Sequence, residues 1–501
     1  VRREHPAAAT TPTRHQAIPS SRTRILDRYR GRTVDAIRRL AATLAILLAF
    51  IAASGCRSHP RPPSATPNVL LISIDSLRRD HVGAYGYPRA TTPTIDRVAA
   101  AGVVFSDAVS TTSWTLPAHA ALLTGVHDSR HGATVPTAAL DESVPTLAEA
   151  FRAHGYRTVG FYSGPFLHPH FGLARGFEEY LDCTSYRLES AKAPASPRLH
   201  ASSHKDVTNP RISERFTRAV AADDGRPFFF FVHMWDVHYD LVPPPPYDRM
   251  FVNEPSPPEV DRDFRHDPEF RPGMDPRAFA QVLALYDGEI RYTDDTIGTL
   301  LDELRSRAML DNTIVVVVSD HGEEFLEHEG KGHRNTLFAE VLSVPLVFWA
   351  PGLLPPASVE ETVSLVDVAP TLAHLAGIGE LAGVDGRPLF DDHGVPVRDS
   401  RVAISELRMN ADRPKLVAAQ RYPHKVIRDL RSGTDSYYDL ASDPRELTPR
   451  AVDGIAAAQP LLDALGARYA ADTKTRGGSR IPSRPLAPAM EKRLKSLGYL
   501  E

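Results

Sequence analysis

Cysteine is nearly absent from this 501-residue chain: only Cys56 and Cys183 occur. That excludes a disulfide scaffold and a cysteine-based zinc site. An excess of either charge is missing too. Lys plus Arg number 58 and Asp plus Glu 62, a formal net charge of −4, so the chain lacks the basic footprint of a nucleic-acid binder. No apolar run reaches the ~20 residues that span a bilayer as a helix, which excludes a multi-span membrane protein. Wholesale disorder is excluded as well, since 42% hydrophobic and 24% charged residues is an ordinary globular composition. Proline is plentiful, 43 residues, which favours ordered loops over long helices. A chain of this length holds two to four compact units, or one large α/β unit with an appendage.

The first 33 residues are polar, rich in Arg, Pro and Thr, and without apolar periodicity, so they read as disordered. Arg38-Arg39 then precede an apolar run from Leu40 to Ala53, broken only by Thr43 and followed by Ser54-Gly55-Cys56. A basic start, a short apolar stretch and small residues before a cleavage point form a secretory signal. Cys56 after Ser-Gly resembles the bacterial lipobox, with Ala53 in place of the usual Leu. The expectation is a mature protein that begins at Cys56, carries lipid there and faces the periplasm or the cell exterior; an uncleaved signal anchor is the alternative. The first methionine is Met234, and Val34 stands at the natural distance from the signal for a start. Pro60, Pro62, Pro63 and Pro67 make residues 57–67 a stiff tether.

Beyond the tether, Asn68-Val-Leu-Leu-Ile-Ser-Ile-Asp75 is a continuous apolar run ending in a carboxylate, the pattern of a buried strand in a mostly parallel sheet. Phe228 to Val232 leads likewise into His233-Met-Trp-Asp236-Val-His238, and Thr313 to Asp320 into His321-Gly-Glu-Glu. Helical patterns cover Thr146 to His154 and Phe279 to Arg305. Strands alternating with helices predict an α/β layered fold, and ligands in such sheets gather at the carboxyl ends of strands. After about Asp399, short strand candidates at Val402–Glu406, Lys415–Ala419 and Lys425–Leu430 predict a small antiparallel subdomain. The expected organisation is a leader and signal over 1–56, the tether over 57–67, a catalytic domain over 68–400, a C-terminal subdomain over 401–470 and a basic, Pro/Gly-rich tail over 471–501.

The sharpest local feature is Ser113-Trp-Thr115-Leu-Pro117-Ala-His119, which opens an apolar run to Gly125. Pro117 suits the first turn of a helix. That places Thr115 at a helix N-terminus, where backbone N–H groups and the dipole favour an anion. Taken alone, such a threonine is more often just an N-cap. Asp75, Asp320 and His321 end other predicted strands, and with Thr115 they make a set able to hold a divalent cation. The cation would lower the hydroxyl's pKa and polarise an ester oxygen.

Together these motifs, with His333 to Pro345, Tyr438-Asp-Leu-Ala-Ser-Asp-Pro444 and the closing Leu494-Lys-Ser-Leu-Gly-Tyr-Leu500, resemble the sulfatase family within the alkaline-phosphatase superfamily. The resemblance implies a large, mostly parallel central sheet flanked by helices, plus the small antiparallel subdomain. It implies a metal-dependent hydrolase of anionic esters, with catalytic groups at Thr115, His119, His238 and His333. Substrate contacts are expected from His238, His333 and Lys331, and a first metal on Asp75, Thr115, Asp320 and His321. A second metal on Asp236, His238 and His333 is the further option. His233 and His328 read as structural or rim residues.

Four departures from the family pattern bear on the chemistry. Sulfatases carry Cys or Ser at the first position of Cys-x-Pro-x-Arg and convert it to formylglycine; Thr115 stands there, and its β-methyl group bars an aldehyde. His119 replaces the Arg. Ser76 replaces the second Asp of an Asp-Asp pair, and His321 replaces an Asn or Gln. An imidazole in place of an amide, and one carboxylate fewer, favour Mn or Zn over Ca. The set resembles that of phosphotransferases and phosphodiesterases in which a Thr attacks phosphorus. Phosphoester, phosphodiester or phosphonate-ester cleavage, or phosphoryl transfer, is therefore expected. Sulfate-ester hydrolysis without formylglycine is the alternative, and a non-catalytic anion-binding lipoprotein is the reading from another class.

Overall fold

The computed structural model describes residues 66–184, 207–253, 257–399, 401–408, 414–476, 486 and 488–496. The signal, Cys56 and nearly all of the tether lie outside the described residues.

The three apolar runs form adjacent strands: β1 (Asn68–Ile74), β5 (Phe228–Met234) and β6 (Thr313–Ser319). They belong to a nine-stranded sheet completed by β2 (Val103–Val109), β3 (Arg157–Tyr162), β4 (Glu179–Asp182), β7 (Leu346–Trp349), β8 (Ala357–Ser364) and the short Ser343–Val344 strand. The order is β8-β2-β7-β6-β1-β5-β3-β4, with Ser343–Val344 beside β2. β1 runs parallel to both β5 and β6, and β3 parallel to β5 and β4. β7 is inserted antiparallel between β6 and β2. The expected mostly parallel sheet is thus present, with β7 and the short Ser343–Val344 strand reversed.

The runs are continuously apolar because both faces of the sheet are covered. Val69 and Leu71 of β1, Phe229 and Phe231 of β5, and Val316 and Val318 of β6 point into one core. That core is closed by helices α2 (Thr115–Thr124), α3 (Leu147–Ala153) and α6 (Val368–Leu375). The alternate residues Leu70, Ile72, Phe230, Val232, Val315 and Val317 point into the other. There α1 (Pro93–Ala101), α4 (Asn209–Ala221) and the 31-residue α5 (Pro276–Ser306) cover them. α3 begins with a reciprocal capping box between Thr146 and Glu149, which fixes the start that the sequence placed at Thr146.

The C-terminal strands form the expected second sheet, an antiparallel meander of β9 (Ala403–Arg408), β10 (Pro414–Arg421), β11 (His424–Asp429), β12 (Thr434–Asp439) and β13 (Arg450–Ala451). Leu407, Ala418, Ile427 and Tyr438 on one face join the core of the large sheet. On the other face Ile404, Val417, Ala419 and Val426 pack on Leu461 and Leu465 of α7 (Gln459–Arg476). α7 runs unbroken past position 470, where the tail was expected to begin. In the terminal helix α8 (Pro488–Ser496) Leu494 is buried in the main core.

A buried ion pair links β11 to the loop between β12 and β13. The Lys425 ammonium lies 2.7 Å from Glu446 Oε1, with neither side chain exposed, in a contact of charge on charge rather than a well-angled hydrogen bond. The other Glu446 oxygen accepts the Ala339 N–H at 2.5 Å. Lys425→Met should therefore strand a buried carboxylate and destabilise the fold by about 3–5 kcal/mol. The midpoint of urea unfolding should fall with little change in slope.

Candidate active site

The site forms because two parallel strands end in step. β1 and β6 pair Ile74 with Ser319, so the next residues, Asp75 and Asp320, leave the sheet side by side. Asp320 Oδ1 accepts the N–H groups of His321 and Ser76, at 2.9 and 3.2 Å. Asp320 Oδ2 is buried and has no hydrogen-bond partner among the described residues. It faces His321 Nε2 at 3.4 Å, and His321 Nε2 lies 3.6 Å from Asp75 Oδ1.

The tautomer of His321 follows from its other nitrogen. Nδ1 lies 2.8 Å from the Gly322 carbonyl oxygen, which can only accept, so Nδ1 carries the proton. Burial pushes the His321 pKa down, against the pull of Asp75, and Nε2 presents a lone pair. A lone pair and two carboxylates thus converge, with ligand atoms of Asp75, Asp320 and His321 within 4.8 Å of one another. Such a convergence of acceptors, one of them orphaned, fits a divalent cation.

Thr115 completes the set. It is the first residue of α2, after the N-cap Trp114, so its hydroxyl is free of capping duty. Oγ1 donates to Asp75 Oδ2 at 3.4 Å and lies 3.3 Å from His321 Nε2. Asp75, Asp320 and His321 have no exposed surface, whereas Thr115 keeps 5%. Access is therefore from the Thr115 side, where the first-turn amides of α2 point outward. Ser76, which replaces the family's second Asp, adds no carboxylate; its hydroxyl donates to Asp75 Oδ1 at 3.0 Å.

Electrostatics separate the two carboxylates. Burial would push the Asp75 carboxyl up, but the hydrogen bond from His233 and the nearby His238 and His321 hold it well below the usual range. Burial and the adjacent Asp75 push Asp320 well above it. Like charges this close cannot both ionise freely without a compensating cation.

His119 lies behind Thr115 rather than in front of it. Nδ1–H donates to the Thr115 carbonyl at 2.9 Å, one helical turn back, and Nε2 accepts the Ser73 hydroxyl at 2.9 Å. Nδ1 is also 3.4 Å from Asp320 Oδ2. The ring is fully buried, and it contacts Thr115 and Asp320 from behind rather than lining the open side of the site. Burial, with His233 beside it, lowers its pKa to about 3, so it does not replace the positive charge of an arginine.

His238 and His333 are brought to the cluster. Nδ1–H of His238 donates to the Tyr239 carbonyl at 2.6 Å, and Nδ1 of His333 shares a hydrogen bond with Glu323 Oε1 at 3.0 Å. The His333 ring centroid is 4.6 Å from that of His321 and 5.1 Å from that of His238. Burial depresses the His333 pKa, as do the neighbouring His321 and His238. Two other expectations are not met. Asp236 Oδ1 accepts the Thr208 N–H and hydroxyl at 2.6 and 2.5 Å, and Oδ2 accepts the Asn209 N–H at 2.9 Å. Its carboxylate caps α4, so it is not available with His238 and His333 for a second metal. Lys331 donates to the Asp267 carbonyl and is turned toward that loop.

Sequence reasoning read His233 as a structural or rim residue and gave Glu323 and Ser73 no role. His233 Nδ1 accepts the Ser163 N–H at 3.4 Å, which leaves the proton on Nε2 to donate to Asp75 Oδ2 at 3.3 Å. Its place within β5, directly beside β1, was the available signal. Glu323, buried and three residues after Asp320, fixes His333. Ser73 fixes His119. A second cluster of Glu324, His328 and Glu340 is closed on itself. His328 meets Glu340 Oε1 at 2.7 Å through Nδ1 and the Glu446 carbonyl at 3.1 Å through Nε2. Burial opposes its protonation, but Glu340 raises its pKa overall; this is a structural ion pair.

The buried neutral His119 sets a pH dependence. An unfolded imidazole titrates near 6.5, while His119 in the fold titrates near 3. Between these values the unfolded chain binds the extra proton, so stability falls as pH is lowered, by about 1.4 kcal/mol per pH unit from this group. His119→Asn should flatten the decline measured by urea unfolding between pH 6.5 and 4, while lowering turnover through loss of the Thr115 and Ser73 tethers.

The sulfatase family model matches residues 67–378. An arylsulfatase of Clostridium perfringens is 25% identical over 444 residues, 76% of this chain and 89% of that protein. A Δ4,5-hexuronate-2-O-sulfatase of Bacteroides thetaiotaomicron is 25% identical over 414 residues, 76% of this chain and 83% of that protein. The phosphonate monoester hydrolase of Agrobacterium radiobacter shares the fold with a TM-score of 0.64 at 22% identity, over 82% of this chain and 96% of that one. The match runs from the start of β1 through α6 and takes in the whole Asp75, Thr115, Asp320 and His321 set: the chain belongs to the sulfatase family and is an ester hydrolase of the alkaline-phosphatase-like fold.

Proposed function

We propose that the chain hydrolyses phosphoesters, phosphodiesters or phosphonate esters, or transfers the phosphoryl group, with Thr115 as the nucleophile. One observation carries this reading. The residue in the formylglycine position is a threonine whose hydroxyl lies 3.4 Å from Asp75 Oδ2 and 3.3 Å from His321 Nε2, and whose β-methyl group bars oxidation to an aldehyde. A divalent cation held by Asp75, Asp320, His321 and Thr115 would lower the hydroxyl's pKa and polarise the ester; the imidazole in the set favours Mn or Zn over Ca.

The chain's own groups divide the remaining work. His119 and Asp75 orient Thr115, and the first-turn amides of α2 receive the anion. Thr115 gives up its hydroxyl proton to solvent, Oγ1 forms a bond to phosphorus as the ester P–O bond breaks, and the departing alkoxide takes a proton from water on the open side of the site. Water then cleaves the phosphothreonine, releasing the acid and restoring the hydroxyl. Burial disfavours the charged forms of His333 and His321, so they would bind the substrate and the cation rather than neutralise charge.

Thr115→Ala should abolish turnover with folding intact, and Thr115→Ser should retain substantial activity. Mass spectrometry of enzyme quenched while turning over a phosphodiester should find a phosphorus adduct on Thr115. Asp320→Asn should lose the metal on dialysis, read by elemental analysis. Sulfate-ester hydrolysis without formylglycine is the second reading, favoured by the two sulfatase relatives at 25% identity. Fast aryl-sulfate turnover without phosphoesterase activity, across Mn-, Zn- and Ca-loaded protein, would establish it instead.

Export and lipid attachment at Cys56 are part of the same proposal. They rest on the order of basic, apolar and Ser-Gly-Cys residues in the leader. No helix among the described residues is long and apolar enough to cross a membrane, so attachment would depend on the leader, and several acyl chains hold a membrane stably. Cys56→Ser should move the protein to the soluble fraction; retention with the apolar run still attached would indicate a signal anchor.

A further inference from the structure

The site has a charge to fill. A divalent cation is cancelled by Asp75 and Asp320, and the family's arginine is replaced by His119, which is fully buried behind Thr115 with its nitrogens turned to the Thr115 carbonyl and the Ser73 hydroxyl. An anionic ester therefore needs a positive group from elsewhere. Arg334 stands directly after His333 and has a φ of +73°, the left-handed conformation that disfavours an L side chain and recurs at functional sites. Its own N–H holds it there, donating at 3.0 Å to the carbonyl of Ser113, two residues before Thr115. The side chain is propped on an aromatic floor. Its guanidinium carbon lies 4.8 Å from the ring centroid of Trp114, the N-cap of α2, and 6.0 Å from that of Phe166. Trp114 and Phe166 meet edge to face at 5.2 Å. A second arginine, Arg265, is engaged with the Tyr239 hydroxyl and ring.

We propose that Arg334 is the specificity-determining cation of this site, its guanidinium binding an unreacting oxygen of the ester's acidic group beside Thr115. The proposal rests on the hydrolase reading above and deepens it. Cation, two carboxylates and Arg334 sum to one net positive charge, which suits a singly charged ester centre such as a phosphodiester, phosphonate monoester or sulfate monoester over a doubly charged phosphate monoester. The planar fork of an arginine matches two such oxygens, as a lysine does not.

The test compares metal-loaded wild type with Arg334→Gly and Arg334→Lys. Glycine adopts the left-handed conformation without strain, so Arg334→Gly should keep its metal content and an equal or higher Tm. Calorimetric titration with inorganic sulfate and with inorganic phosphate should show affinity reduced about 10- to 100-fold in Arg334→Gly, the range for one charge-assisted hydrogen bond, and an intermediate loss in Arg334→Lys. With ester substrates the loss should fall mainly on KM, and the preference for phosphodiester over phosphate monoester should shrink. Unchanged anion affinity and KM in Arg334→Gly with metal intact overturns the proposal even if phosphodiester turnover is fast, and so does a wild type that binds neither anion. Arg334-dependent sulfate binding in an enzyme that turns over only sulfate esters leaves the proposal standing and removes the phosphoester reading.

Discussion

The in-step ending of β1 and β6 is the constraint on which the rest depends. Ile74 pairs with Ser319 in a parallel ladder, so two aspartates leave the sheet together into a fully buried space. A slip of one residue would turn each carboxylate to the other face of the sheet. In register they repel, and their proximity costs free energy unless a cation lies between them. The architecture bears this because both faces of the sheet are sealed: the apolar residues of β1, β5 and β6 feed two cores, and that packing outweighs a local cluster of like charges.

Around that pair the histidines share a logic. His119, His238 and His321 each have Nδ1 against a backbone carbonyl, and His333 has Nδ1 against Glu323. Fixing one nitrogen leaves the other with a defined role: Nε2 of His321 faces the carboxylates, and Nε2 of His119 is closed by Ser73. His233 is the reverse case, since its Nδ1 accepts a backbone N–H and its Nε2 donates to Asp75. Positioning here is a matter of where protons sit as well as where rings sit.

The departures from the family pattern then form one change rather than four. A threonine that cannot become an aldehyde, a neutral imidazole in place of an arginine, a serine in place of a carboxylate and a histidine in place of an amide all alter charge and ligand softness around a single point. Position 119 loses a cation and position 76 an anion, while the formylglycine position holds an ordinary hydroxyl.

Much of this was legible in the sequence. The buried strands showed themselves as unbroken apolar runs, because a sheet covered on both faces leaves no alternation to read. Asp75, Asp320 and His321 stood at strand ends, where open sheets gather ligands, and Pro117 placed Thr115 at a helix start. Asp236, His119 and Lys331 could not be assigned from sequence. A carboxylate or imidazole near a motif has the same letters whether it faces the cleft, caps α4 or supports the residue in front of it. Only the tertiary structure decided that Asp236 is consumed by the α4 N–H groups, that His119 faces Ser73 and the Thr115 carbonyl, and that Lys331 turns to Asp267. His233 and Glu323 gained their roles in the same way, through neighbours 158 and 10 residues distant in the chain. Local sequence determines which elements form and which of their ends carry polar groups; the register between strands and the hydrogen-bond partners at each buried atom determine what those groups do.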